Sequence, residues 1–204
     1  MALNQPITEK FRNGFEQKCF LLIIDAYQTS IVGKVIQLNW DENDISSELI
    51  DHIKRNPLRI KWKISTNVES HIPTDIPKIK GFASKFPRID FRLSVFSKID
   101  EYEYFLEAKN LKENDSALKR RYIRTGIDNF ISTKYTNGSL IGYLLEGNLD
   151  ETIKGINSLL EKDKRNTEVL KSVSNKLHKN YYESDHHGIG MLKHLIFDFT
   201  ALSN

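Results

Sequence analysis

Two carboxylates and a lysine in the middle of the 204-residue sequence have the types and spacing for chemistry on a phosphate. Asp90 lies in RIDFRLSVF, and Glu107 and Lys109 lie in YEYFLEAKN. Both stretches alternate apolar and polar residues, the period of a half-buried strand. A four-residue loop over 97–100 joins them as a hairpin. Ile89 then faces Ala108, Phe91 faces Leu106, Leu93 faces Tyr104 and Val95 faces Tyr102. Every pair is apolar or aromatic, and a one-residue slip would mix the faces. The same register sets Asp90 opposite Glu107, with Cβ atoms about 4.5–5.5 Å apart. Lys109 follows on the same face. Opposed carboxylates repel unless a cation lies between them. Mg²⁺ is held by one or two carboxylates with water and phosphate oxygens, and a lysine beside it stabilises charge on an attacking water or on the phosphate. The competing reading is a surface salt-bridge cluster with Lys109 between the acids.

Positioning these groups takes a mixed α/β domain. Residues 8–38 carry Phe15, Cys19, Leu22 and Ala26 at helical spacing, one long or broken helix. Ile45, Leu49 and Ile53 step by four, and Asn56-Pro57 ends that helix. LRIKWKIS alternates and reads as a strand. Residues 66–87, with Pro73, Pro77, Gly81 and Pro87, read as a long loop. After the hairpin a helix starts at the N-cap Ser116 and buries Ile123, Ile127, Phe130 and Ile131. Thr136-Asn137-Gly138 is a turn. SLIGYLLEG, apolar throughout, suits the middle of a sheet. Two helices are expected next, one on Leu149, Ile153, Ile156 and Leu160, the other on Leu170, Val173 and Leu177. MLKHLIFDF is the last strand. No linker splits the chain into domains.

Asp90, sixteen intervening residues and Glu107-Ala108-Lys109, in PRIDFRL and YFLEAKNL, resemble the PD-(D/E)XK nuclease superfamily, the restriction-endonuclease-like fold. The α-β-β-β-α-β order around them is that family's core order, and the resemblance covers residues 42–147. Residues 1–41 are then an N-terminal helical extension, and 148–204 add C-terminal helices and a strand. RRYIRTGIDNFISTKY followed by SLIGYLLEG is similar to the helix–strand segment of small nucleases from bacterial defence and mobile-element systems. The proline stands at position 87, not immediately before Asp90, a departure the family tolerates.

The resemblance implies Mg²⁺- or Mn²⁺-dependent hydrolysis of a phosphodiester, most readily of DNA. Asp90 and Glu107 would hold metal, and Lys109 would assist the attacking water. Family members also place an acid on the first core helix, here Glu42 or Glu48. Glu42 lies three, seven and eleven residues before Ile45, Leu49 and Ile53, so it points with the buried stripe and is preferred. Its alternative reading is a helix N-terminal acid favoured by the macrodipole. Glu48 lies at the edge of the apolar face.

Net charge is only +3, but nine Lys and Arg against two acids fall between Lys54 and Arg88, and six against two between Lys109 and Arg124. Lys78, Lys80 and Lys85 in the long loop, and Lys119, Arg120 and Arg121 on the helix, are the candidate phosphate contacts. His186-His187 lacks a third ligand for zinc and reads as a substrate contact or surface pair. Tyr122 and Tyr135 read as packing. No P-loop, G-x-S-x-G or G-x-G-x-x-G is present, so an ATPase or helicase partner, or a homodimer, would supply energy or target choice. The longest apolar run, Cys19 to Ile24, is too short for a membrane span. One cysteine excludes an internal disulfide, and MALNQPITEKF has no signal-like segment. The cytoplasm is the expected location.

Overall fold

In the computed structural model, described here for residues 5–71, 88–96, 101–132, 135 and 137–202, a seven-stranded mixed sheet lies between two layers of helices. The chain runs α1 (Gln5–Gly33), α2 (Glu42–Arg55), α3 (Pro57–Trp62), β1 (Ser65–His71), β2 (Arg88–Phe96) and β3 (Glu101–Lys112). Next, α4 (Ser116–Arg121) passes through a π-helical segment (Tyr122–Ile127) into α5 (Asp128–Ile131). β4 (Gly138–Glu146), α6 (Leu149–Lys162), β5 (Lys171–Ser172), β6 (Tyr181–His186) and β7 (Gly190–Asp198) complete it. The spatial order is β1-β2-β3-β4-β7-β6-β5. β4 runs parallel to both β3 and β7, and the other pairs are antiparallel.

β4 is the middle strand, and Leu140 to Leu145 are buried without a break. This is what an apolar run covered on both faces requires. Ile141 and Tyr143 pack toward α1 and α2 with Phe91, Leu93, Leu106 and Phe197. Leu140 and Leu144 pack toward α4, α5 and α6 with Ile123, Ile127, Phe130 and Ile156. Gly138 permits the close approach of β3, because a Cβ there would lie 2.1 Å from the carbonyl oxygen of Phe105.

α2 opens with a capping box: the Asp41 side chain accepts from the Asp44 N–H, and Asp44 accepts from the Asp41 N–H. Ile45, Leu49 and Ile53 are fully buried, as their period predicts. Asn56 ends this helix and starts the next, its side chain accepting from the Leu58 N–H at 2.8 Å. Pro57, with its φ pre-set for a first helical turn, then begins α3. LRIKWKIS is therefore a short helix followed by the start of β1, not a strand. Its alternation does not track burial, since Leu58 and Ile60 are exposed. Lys63, left-handed at φ 55°, closes the turn and sends Ile64 into the core.

Three other expectations change. Residues 66–71, expected to open the long loop, belong to β1, which pairs with β2 from Ser65–Ser94 to His71–Arg88. The N-cap of α4 is Asp115, which accepts from the Leu118 N–H, rather than Ser116. The expected helix on Leu170, Val173 and Leu177 is instead a 3-10 turn (Asn166–Glu168), the short edge strand β5 and irregular chain. Asn157 on α6 clamps Leu170 at both backbone groups, at 2.8 and 3.0 Å. That clamp takes up backbone groups a helix would have used. The C-terminal strand forms as expected, as β7.

Candidate metal and phosphate site

The β2–β3 ladder has the expected register from Phe96–Glu101 to Phe91–Leu106. The joining loop 97–100 lies outside the described residues. The expected pairs Ile89–Ala108 and Asp90–Glu107 fall beyond the last rung of this ladder. Ile89 packs toward α4–α6 and Ala108 toward α1–α2, so they do not share a face. Asp90 instead turns its carboxylate onto β3, where Oδ2 accepts from the Ala108 N–H at 2.6 Å. The side chain takes a donor that the ladder leaves over.

Glu107 and Lys109 point toward the α4–α5 side and are 6 % and 5 % exposed, too buried for a surface salt-bridge cluster. The Lys109 ammonium donates to Glu107 Oε1 and to the Ala108 carbonyl, both at 2.7 Å. Tyr135 donates to the other Glu107 oxygen at 2.8 Å. Glu42, at the start of α2 and 7 % exposed, completes the group. One of its oxygens accepts from the Asn110 N–H at 2.9 Å; the other accepts from Arg121 at 2.9 Å and lies 3.7 Å from Lys109. Glu48, the other first-helix acid considered, pairs with His52 at 3.3 Å.

Burial and the negative charge of Glu107 push the Asp90 carboxyl up to about 7, and Lys109 and the Ala108 N–H offset them only in part. Burial works against the charged form of Lys109, but Glu107, Asp90 and Glu42 outweigh it, so its ammonium is held more firmly than usual. Burial, with Glu107 beside it, raises the Tyr135 hydroxyl and keeps it a donor. Three acids face two cations, and Asp90, the carboxyl that is pushed up, marks where a further positive charge would be accepted.

The candidate phosphate contacts separate. Lys78, Lys80 and Lys85 lie outside the described residues. Lys119 donates to the Glu113 carbonyl at 2.6 Å, and Arg120 pairs with Asp163. Arg121 alone of that trio joins the acid cluster, and its side chain is 55 % exposed. Tyr135 is a site residue rather than packing alone. Nothing in its local sequence marks it, since its role depends on the meeting of β3 with the chain that enters β4. It also lines an open cavity of about 470 Å³ with Phe130, Asn137, Met191 and Lys193. His186 is buried and hydrogen-bonded, not part of a surface pair.

Among the described residues, no three His, Cys, Asp or Glu side chains stand as a ready-made metal cage. The donors that do converge are hard oxygens, which suit Mg²⁺ or Mn²⁺ better than zinc. Among the described residues, Asp90 commits only Oδ2 to a partner. Those donors, and the only partly relieved repulsion at Asp90, fit a divalent ion. No family model, curated protein or solved structure matches this chain. No helix among the described residues is long and apolar enough to cross a membrane.

Proposed function

We propose that this chain is a metal-dependent nuclease of the restriction-endonuclease-like fold that hydrolyses phosphodiester bonds of DNA. The observation that carries the reading is the convergence of Asp90, Glu107 and Glu42 around the Lys109 ammonium. Support also comes from the order α2, β1, β2, β3, α4, β4, with β3 parallel to β4. This is the α-β-β-β-α-β order of the family that the motif resembles.

In this reading Asp90 and Glu107 hold Mg²⁺ or Mn²⁺. Such an ion polarises a phosphoryl oxygen and makes water a stronger nucleophile at neutral pH. Lys109 keeps its proton and offers an ammonium to an attacking water or to charge developing on the phosphate. Tyr135 fixes the second oxygen of Glu107, so the carboxylate is pre-oriented. Arg121, anchored through Glu42 yet half exposed, presents the rest of its guanidinium to a phosphate. The cavity beside Tyr135 is in the size range of small-ligand sites and gives a strand room to approach. A place in antiphage defence or DNA processing, with an ATPase or helicase partner, rests on the resemblance alone.

The test is cleavage of supercoiled plasmid, single-stranded DNA and RNA with Mg²⁺, Mn²⁺ or EDTA. Wild type is compared with Glu107→Gln and Lys109→Ala. Cleavage that needs metal and falls about 100-fold or more in both variants is expected. A second reading, a catalytically silent nuclease-fold subunit, draws on one observation: both Glu107 oxygens already have partners within the chain. No cleavage of any substrate, with no metal uptake by calorimetry, would select it.

A further inference from the structure

Glu107, Leu140 and His194 lie in one row across β3, β4 and β7. All three face the layer that holds α4, the π segment and α5. Behind that row is a buried polar line that the candidate site does not use. Ser184 Oγ lies 2.5 Å from His186 Nε2 and 2.7 Å from His194 Nε2. His186 Nδ1 lies 2.7 Å from Glu168 Oε2, and His194 Nδ1 lies 2.9 Å from the Tyr122 hydroxyl. Glu168, His186 and Ser184 have the connectivity of a nucleophile triad. Ser184 is only 1 % exposed and has an imidazole on each side, so no substrate reaches it.

The chemistry of the groups fixes the direction of every bond. Burial alone would raise the Glu168 carboxyl, but its bonds to Arg165 and His186 outweigh burial and hold it below the usual range. An ionised carboxylate only accepts, so His186 carries its proton on Nδ1. Burial keeps this imidazole neutral, its value lowered despite Glu168, so Nε2 accepts from the Ser184 hydroxyl. Ser184 then accepts from the Nε2–H of His194. His194, lowered to about 3 by burial, accepts at Nδ1 from Tyr122. Each N–H and O–H in the line is used once.

Tyr122 is the first residue of the π segment and directly follows Arg121, which holds Glu42. We propose that this line is a one-way hydrogen-bond relay through which the β6–β7 hairpin positions Arg121 and Glu42, and that protonation of His186 releases it. The relay concerns the surroundings of Glu42 and stands whether or not the site cleaves a phosphodiester. One proton from water converts His186 to an imidazolium, whose Nε2–H donates to Ser184. Ser184 must then turn its hydroxyl to His194, whose Nε2 loses its proton to water and whose Nδ1 gains one from water during a local opening, with no net change in its charge. That N–H confronts the Tyr122 hydroxyl, which loses its acceptor. The charged groups facing His186 are Glu168 and Arg165 from the turn after α6, and Asp185 on its own strand. Arg165 is also held by Asp128 of α5 at 2.8 Å. His194 faces His186 and Tyr122, Tyr122 faces Tyr182 of β6, and Tyr182 faces Asp150 of α6.

Nitrogen-15 NMR of the histidines in the full chain at neutral pH reads the tautomers directly. The expected result is Nδ1–H on His186 and Nε2–H on His194; the opposite tautomer on either overturns the relay. Amide hydrogen exchange then tests positioning. Tyr122→Phe keeps the ring and removes only the donor. It is expected to speed exchange about 10-fold, the value of one net hydrogen bond, at residues 122–127 and at Asn110, whose N–H Glu42 holds. The wild type is expected to show the same paired change as His186 titrates. Exchange at Asn110 that stays at the wild-type rate in Tyr122→Phe, or rises equally in β1 and β2, overturns the positioning role. So does titration of His186 with no change at residues 122–127.

Discussion

Asp90 holds a proton in the folded chain that the unfolded chain has already lost between about pH 4 and pH 7. Its contribution to stability is therefore fully present below about pH 4 and is lost as the pH climbs through 7. Asp90→Asn keeps an acceptor for the Ala108 N–H and removes the charge. In EDTA at pH 8 this variant is expected to be more stable than wild type by about 1–3 kcal/mol, with the gain shrinking toward pH 4, as urea unfolding would measure. Mn²⁺ should raise the melting temperature of the wild type but not of Asp90→Asn. Equal Mn²⁺ shifts in the two would place the ion elsewhere. His194 carries the opposite sign. Burial lowers it to about 3, so the unfolded chain binds the proton first. Its contribution is intact above about pH 6.5 and is lost as the pH falls toward 3. His194→Gln should flatten that acid limb of the stability profile.

At the scale of elements, one side chain governs the turn between two helices. Asn56 caps α3 through the Leu58 N–H, and its amide donates to Asp25 of α1 at 2.7 Å. Asn56→Ala removes both bonds and is expected to cost about 1–3 kcal/mol, measured by urea unfolding; Leu58→Ala, at an exposed position, should cost much less. This corner also shows what the sequence could not reveal. The alternation of LRIKWKIS is a valid strand pattern, and the Asn56 side chain whose cap overrides it is also anchored to Asp25 of α1, 31 residues away. The β2–β3 register was legible because every apolar pair demanded the same alignment, and Glu42 because it shares the stripe of Ile45, Leu49 and Ile53. The turn of Asp90 onto β3 was not legible, since it depends on where the ladder stops. Nor was Tyr135, whose partner Glu107 lies 28 residues away. Leu170, Val173 and Leu177 have a helical period, but the Asn157 clamp that denies them a helix is a tertiary contact.

For the whole molecule, residues 148–204 belong to the same sheet as the 42–147 segment. β7 pairs along β4 from Ser139–Lys193 to Leu144–Asp198, and the Leu144 carbonyl accepts from the Phe199 N–H at 2.9 Å. A chain ending at residue 147 would bare one edge of an apolar central strand, a template for association. Such a truncation is expected to aggregate, as size-exclusion chromatography would show. A soluble monomer with native amide shifts would make 42–147 an independent unit after all. The same pairing ties the two ends of the chain together. Tyr27 of α1 donates to the Asp198 carbonyl at 2.9 Å and stacks on Phe197 at 4.4 Å, and Glu16 pairs with Lys193. During synthesis α1 therefore leaves the ribosome long before the strand that covers it exists. Tyr27 on that helix waits through more than 150 further residues for its partners on β7, roughly ten to thirty seconds at ordinary elongation rates. That interval is long enough for a chaperone to hold the unfinished chain, whose two ends meet only when β7 is home.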